Sequence, residues 1–194
     1  MTFIKTLKLA VVGAITAAGL TVAAAAQVLV VDNERVEREA AAYKDFNLQT
    51  NEVRQNILQL RQYITRGGAA EQQMAELEKQ KAIIGNDKYE EEKKKIEQTY
   101  VSAQQNLQAL EYIFDQLRQE ALVQVERARQ PAIRQLLQDR KAQIILPKRL
   151  VMGSAAGLDI TTEFIELLDA ELPSVTLTKL PAKQAPAATP APAQ

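Results

Sequence analysis

Gly85-Asn86-Asp87-Lys88 stands inside a long polar-rich stretch, residues 44–140, in which apolar residues recur at helical spacing on both sides. Glycine and asparagine accept the left-handed backbone that ends a helix, and Asp87 can cap the next one by accepting N–H groups of its first turn. The stretch is therefore predicted to run out along one helix, reverse at 85–87 and return along a second. The result is an antiparallel α-hairpin.

The two halves test that reversal against each other. Val53, Ile57, Leu60 and Ile64 follow steps of four, three and four, which keep apolar side chains on one stripe as in a coiled coil. In the return half Ile96, Tyr100, Ala103, Leu107, Leu110, Phe114, Leu117 and Ala121 alternate steps of four and three throughout. Folding at 85–87 sets Ile64 by Leu110, Leu60 by Phe114, Ile57 by Leu117 and Val53 by Ala121. Gly67-Gly68 offers a rival reversal, since two adjacent glycines cost about 2 kcal/mol of helix propensity relative to alanine. A tip there would leave most of the return seam without a partner, and the helical phase carries on through Gly67, Glu71 and Met74. Gly67 and Gly68 are accordingly read as a hinge within the outgoing arm. Arms of roughly 40 residues at about 1.5 Å each reach on the order of 60 Å, far more than a compact domain of this size needs.

Composition removes most catalytic chemistry. The 194 residues hold neither Cys nor His, so thiol nucleophiles, imidazole bases and nearly all zinc, copper or haem ligation are excluded, and no disulfide can brace the fold. No phosphate-binding glycine loop is present, which argues against nucleotide use. Glu90-Glu91-Glu92-Lys93-Lys94-Lys95 reads as a solvated helix face with i,i+4 pairs from Glu91 to Lys95 and Glu90 to Lys94. No catalytic residue, cofactor site or metal site is expected, and the chain is not read as an enzyme.

Residues 1–26 read as a secretory signal peptide. Lys5 and Lys8 supply the positive start, 9–22 the apolar core, and Ala24-Ala25-Ala26 the small-residue cleavage pattern, so the mature protein is read as exported. Taking away Lys5 and Lys8 leaves 22 basic against 24 acidic side chains, a net charge of −2. Such a balance gives no reason to expect nucleic-acid binding.

Around the hairpin (44–130) the chain is predicted to build a small body. Val28-Leu29-Val30-Val31 is a strand, followed by a short helix over 34–43 capped by Asp32 or Asn33. Pro131 should bend or restart the return helix, whose last part docks on the body. Gln143-Ile144-Ile145-Leu146 is a second strand and Arg149-Leu150-Val151-Met152 a third, with a turn at Pro147-Lys148. Thr161 is the expected N-cap of a last helix reaching about Leu172, with Phe164, Leu167 and Leu168 on its buried face. Residues 173–194 form a Pro/Ala-rich tail, expected to be disordered from about Lys179. The fold class is thus α+β, mostly α.

Several apolar residues fall off the seam: Leu58, Tyr63, Ile83, Val101, Tyr112, Ile113, Leu122 and Val123. Leu122 and Val123, near the body, are read as packing. Tyr63, Ile83, Val101, Tyr112 and Ile113 are the candidates for a greasy, adaptable face on which a non-native polypeptide can rest.

The order of these parts resembles the Skp/OmpH family of periplasmic chaperones over essentially all of 27–172. The likeness is carried by Val28-Leu29-Val30-Val31-Asp32, Pro131-Ala132-Ile133, Ile144-Ile145-Leu146 and Asp159-Ile160-Thr161 with Phe164, Leu167 and Leu168. The resemblance implies a homotrimer whose short strands, at Val28, Val30, Ile144, Leu146, Leu150 and Met152, combine into a central β-body. Three hairpins would enclose a cavity that holds unfolded outer-membrane proteins without ATP and prevents their aggregation before insertion. Contact with a membrane would be transient. Known members carry a basic cluster linked to lipopolysaccharide, whereas residues 96–126 here hold a single basic side chain, Arg118, so that site is not carried over. The alternative is a structural or adaptor hairpin of the cell envelope. Such adaptors flank their hairpin with larger β-domains, and only 27–43 precedes this one.

Overall fold

The computed structural model describes residues 27–178. Its elements run β1 (Val28–Val31), α1 (Asn33–Glu39), α2 (Ala41–Gln49), α3 (Asn51–Ile64), α4 (Ala69–Ile84), α5 (Asn86–Asp139), β2 (Ile144–Pro147) and α6 (Thr161–Glu171). The expected signal peptide at 1–26 and the segment 179–194 lie outside the described residues.

The hairpin reverses at Gly85, whose φ of 83° and ψ of 162° belong to a region that only glycine occupies comfortably. Both α3 and α4 pack along α5, so the break between them is not a reversal. There Thr65 ends α3 in extended conformation, Gly67 adopts φ 74°, and Gly68 caps α4. Gly68 is indispensable for a steric reason. A Cβ at this position would meet the Gln62 carbonyl oxygen at 2.4 Å and that of Thr65 at 2.6 Å. The expected seam is present: Val53, Ile57 and Leu107 form a buried cluster joined by Leu60, Ile64, Leu110 and Phe114. Arg61 bonds Glu111 across the arms at 2.5 Å, in register with a tip at 85.

Return helix α5 spans 54 residues, roughly 80 Å at the usual rise, and passes through Pro131 without restarting. Of the bend or restart expected there, the restart does not occur. Proline removes one backbone hydrogen bond. On either side of it Ala128, Ala132 and Leu136 are buried against Leu29, Val36, Ile160 and Phe164, which hold the helix in place.

The body is a two-stranded parallel sheet covered by α1, the end of α5 and α6. Val28 pairs with Ile144, Leu29 with Ile145, Val30 with Leu146 and Val31 with Pro147. The third strand expected at 149–152 does not form: Lys148–Leu150 is a 3₁₀ turn, with Val151 N–H donating back to the Lys148 carbonyl. The other edge of β1 is used instead, since Ile160 N–H donates to the Val30 carbonyl at 3.0 Å.

Three further expectations change at element ends. The single helix expected over 34–43 is split at Ala40, which is extended, because the Asp169 carboxylate of α6 accepts the Ala41 N–H at 2.7 Å. That bond takes the donor that a continuous helix would have used. Asp32 does cap α1, accepting from Arg35 N–H at 3.0 Å. Thr161, expected to cap α6, lies inside its first turn with its hydroxyl accepting the Asp32 N–H at 2.9 Å. Asp159 takes the capping part, receiving both the Thr161 N–H and its hydroxyl. Finally, the tail begins later than 173: Val175 is buried, and residues 174–178 dock on α2 and α5.

Candidate functional site

No described residue group could hold a metal ion, and no described helix is long and apolar enough to cross a membrane. The candidate surface is the hairpin itself. A two-helix hairpin gives each arm one neighbour, so each can bury only one stripe. Apolar residues off that stripe meet solvent by geometry, not by misfit.

The five candidate residues behave in two ways. Ile83 is 85% exposed at the tip, Tyr112 67% and Val101 50%, all on the arms. Tyr63 and Ile113 are half-buried. Tyr63 donates to Gln73 Oε1 across the α3–α4 break at 3.2 Å, and burial pushes its phenol up from its usual value. Tyr63, Tyr112 and Ile113 fall within two positions of the Arg61–Glu111 bond and therefore share one level of the hairpin. Val101 lies further out and Ile83 at the end. The candidates form a discontinuous series along the arms, not a single pocket. Leu58, Leu122 and Val123, read as packing or edge cover, are 49%, 43% and 50% exposed and extend that series toward the body.

At the level of Tyr112 the arms enclose a shallow groove of about 580 Å³, lined by Ile57, Leu58 and Phe114 and rimmed by Arg54, Arg61, Glu111 and Asp115. The sequence signalled its floor, because Ile57 and Phe114 are seam positions. Its charged rim was missed. Arg61 and Glu111 lie far apart in sequence and meet only once the register is set.

Polar pairs stiffen the tip. Tyr89 donates to Glu78 across the arms, and that bond with burial and nearby carboxylates raises the phenol to about 12. Lys81 sits 4.3 Å above the Tyr89 ring. Lys95 binds Glu91 and Glu92, both at 2.8 Å, and these carboxylates raise its pKa. The expected Glu91–Lys95 pair is thus present, and Glu92 stands in place of a Glu90–Lys94 pair.

In the body, Val30 is buried within the chain, and Val28 and Leu146 are half-buried. Ile144 and Leu150 are 47% and 68% exposed, and Met152 is fully exposed. Three of the six residues expected at a subunit interface therefore present apolar surface beside the free edge of β2. Behind them runs a polar clasp that explains the Asp159-Ile160-Thr161 run. Asp159 binds Lys148 at 2.9 Å, Ile160 is buried against the sheet, and Thr161 ties the end of β1. Hydrogen bonds from Thr161 first, then Lys148, hold the Asp159 carboxyl down at about 2.

No protein-family profile and no curated protein matches this chain. A solved structure from Caulobacter crescentus CB15, described as a candidate outer membrane chaperone (OmpH-like), superposes on 95% of this chain and 100% of its own with a TM-score of 0.55 at 18% identity. At that identity the likeness is one of fold. The chain has an OmpH/Skp-like fold, α+β and mostly α, with a long helical hairpin on a small strand-bearing body.

Proposed function

We propose that this protein is a periplasmic holdase, which binds unfolded outer-membrane proteins between hairpin arms and keeps them from aggregating without nucleotide. The observation that carries this reading is the pairing of a dry seam with large apolar side chains left in water. Ile83, Val101 and Tyr112 are strung along the arms of a hairpin much longer than its body requires. Scattered apolar contacts on a polar rod suit a ligand with no fixed shape, since no single pocket selects one sequence. The OmpH-like fold supports the reading, as does the exported character expected of 1–26.

In this reading three copies join through their bodies. A two-stranded sheet is too small to stand alone, and its β2 edge with Ile144, Leu150 and Met152 would be covered by neighbouring copies. The break at Thr65–Gly68 lets the outer arm adjust around clients of different size. Mass measurement of the native oligomer should give a trimer, and a monomer would remove the cavity on which the mechanism depends. The functional test is dilution of a urea-unfolded porin into the purified mature protein. Suppression of light scattering is expected at one trimer per porin; undiminished scattering at that ratio would sink the proposal.

A further inference from the structure

The hairpin root carries a feature that the holding of clients does not require. Residues 174–178 run over α2 and α5 and are gripped almost wholly by their main chain. Val175 N–H donates to Asp45 Oδ2 at 2.9 Å, and the Val175 carbonyl accepts from Gln49 Nε2 at 2.8 Å. One step on, Thr176 N–H donates to Gln124 Oε1 at 2.9 Å and its carbonyl accepts from the same amide at 2.7 Å. Thr178 N–H then donates to the Glu120 carboxylate at 3.0 Å, joined by its hydroxyl at 2.6 Å. A single deep anchor completes the grip, the Val175 side chain, 4% exposed among Ala42, Ala121 and Val125.

The spacing of this grip is not accidental to helix and strand geometry. Two residues of extended chain advance about 6.6 Å, and one helical turn from Gln124 to Glu120 advances about 6 Å. Side chains four apart on a helix therefore read every second peptide unit of a chain lying along it. The direction is toward the hairpin tip. A chain continuing that path meets Gln116 one turn further and then Ile113, which lies on the same face seven positions before Glu120.

From this geometry we infer that Asp45, Gln49, Gln124 and Glu120 form a second polypeptide-binding site, a backbone-reading rail, occupied in the resting chain by its own C-terminal segment. Main-chain hydrogen bonds supply affinity with little regard to sequence, and the Ala42–Ala121–Val125 slot admits a small or β-branched apolar residue. A segment of unfolded client in extended conformation satisfies the same donors and acceptors. The C-terminal segment is thus an internal competitor that sets how readily a client gains the root of the hairpin. This rests on the holdase reading, and the test below separates the two.

The variant Thr176→Pro/Thr178→Pro in the full chain removes two N–H donors from the segment and leaves the rail intact. Hydrogen exchange should show lost protection at the Val175 amide with body amides unchanged. A fluorescein-labelled peptide of residues 173–179 should then bind the variant saturably, and adding Glu120→Ala/Gln124→Ala should weaken that binding about tenfold. Affinity for urea-diluted porin should rise about tenfold in the proline variant, as expected when a competing bound state is depopulated from the resting protein. Release of the segment with no peptide binding, or with porin affinity unchanged, would overturn the inference and leave the segment a structural brace. Persistent protection of the Val175 amide would overturn the hydrogen-bond ladder itself. Should neither wild type nor variant bind porin, the holdase reading fails, while the peptide measurement still reports on the rail.

Discussion

Body and arms use the same apolar residue types and treat them differently. In the body Leu29, Val36 and Leu168 lose all exposure and Phe164 keeps 1%. Along the arms Leu117, near the body, is fully covered, the seam residues Ile57, Leu77 and Leu107 further out each keep 8%, and Ile83 and Tyr112 stand in solvent. The body surrounds a side chain from several elements, while a hairpin offers each helix a single companion. An arm can thus stay helical on one stripe and still keep apolar surface available, which a closed core would forbid. Stability and stickiness are assigned to different ends of one molecule.

The largest effect should come from emptying the body. Phe164→Ala removes a ring that is buried against Leu29, Ala132 and Leu136, and under Arg129 at 5.5 Å. A loss of about 4 kcal/mol is expected by urea unfolding followed by circular dichroism. Leu107→Ala, in the arm seam, should cost less, about 2.5 kcal/mol, because a two-helix seam can close partly around the gap. Hydrogen exchange should rise in α3 and the middle of α5 and not around β1 and α6. Uniform loss in both regions would erase the contrast between them.

Gly85→Ala tests the tip, where φ is 83° and ψ 162°. Strain of about 1.5 kcal/mol is expected, read as faster exchange at 78–92, although the added methyl meets no neighbour. Gly68→Ala should differ in kind, since its methyl collides with fixed carbonyls of α3 and must push the α3–α4 junction apart. A shift in that junction, visible as an altered distance between spin labels on α3 and α4, is the expected outcome. Simple stiffening without displacement would contradict the steric account.

The smallest effect concerns acid. The unfolded chain binds a proton at Asp159 near 3.8, whereas the folded chain holds it ionised down to about 2. Its contribution is therefore complete above 3.8 and is lost as pH falls through that interval. Asp159→Asn should lower stability at neutral pH by about 1 kcal/mol and flatten the dependence between 3.8 and 2. An unchanged acid limb in the variant would mean that other carboxylates govern it.

Most of the hairpin was legible from periodicity, because a long two-helix seam repeats one rule and its register can be checked arm against arm. The off-seam residues followed from the same counting. The Arg61–Glu111 rim and the Tyr89–Glu78 bond were not legible, since each partner is one polar residue among many until the arms are aligned. Around the body the misses share a cause. Ala40 carries no local breaker and is bent by Asp169, 129 positions away in the chain. Leu150 and Met152 have strand-like neighbours but no partner strand among the described residues, and the backbone turns there instead. Pro131 does not restart the helix because the core holds the segments on both sides of it.

By itself the sequence determined the reversal at Gly85-Asn86, the seam that pairs the arms, and the presence of apolar residues with no place on it. These follow from local backbone preference and from the helical period, which need no knowledge of distant contacts. Only the tertiary structure decided that β1 and β2 lie parallel, that Asp159 and Thr161 clasp the end of β1, and that residues 174–178 are gripped along α2 and α5. Each of those depends on which orphan donor or acceptor is brought near which side chain. That pairing is set by packing between segments 52 to 130 positions apart, and no local pattern encodes it.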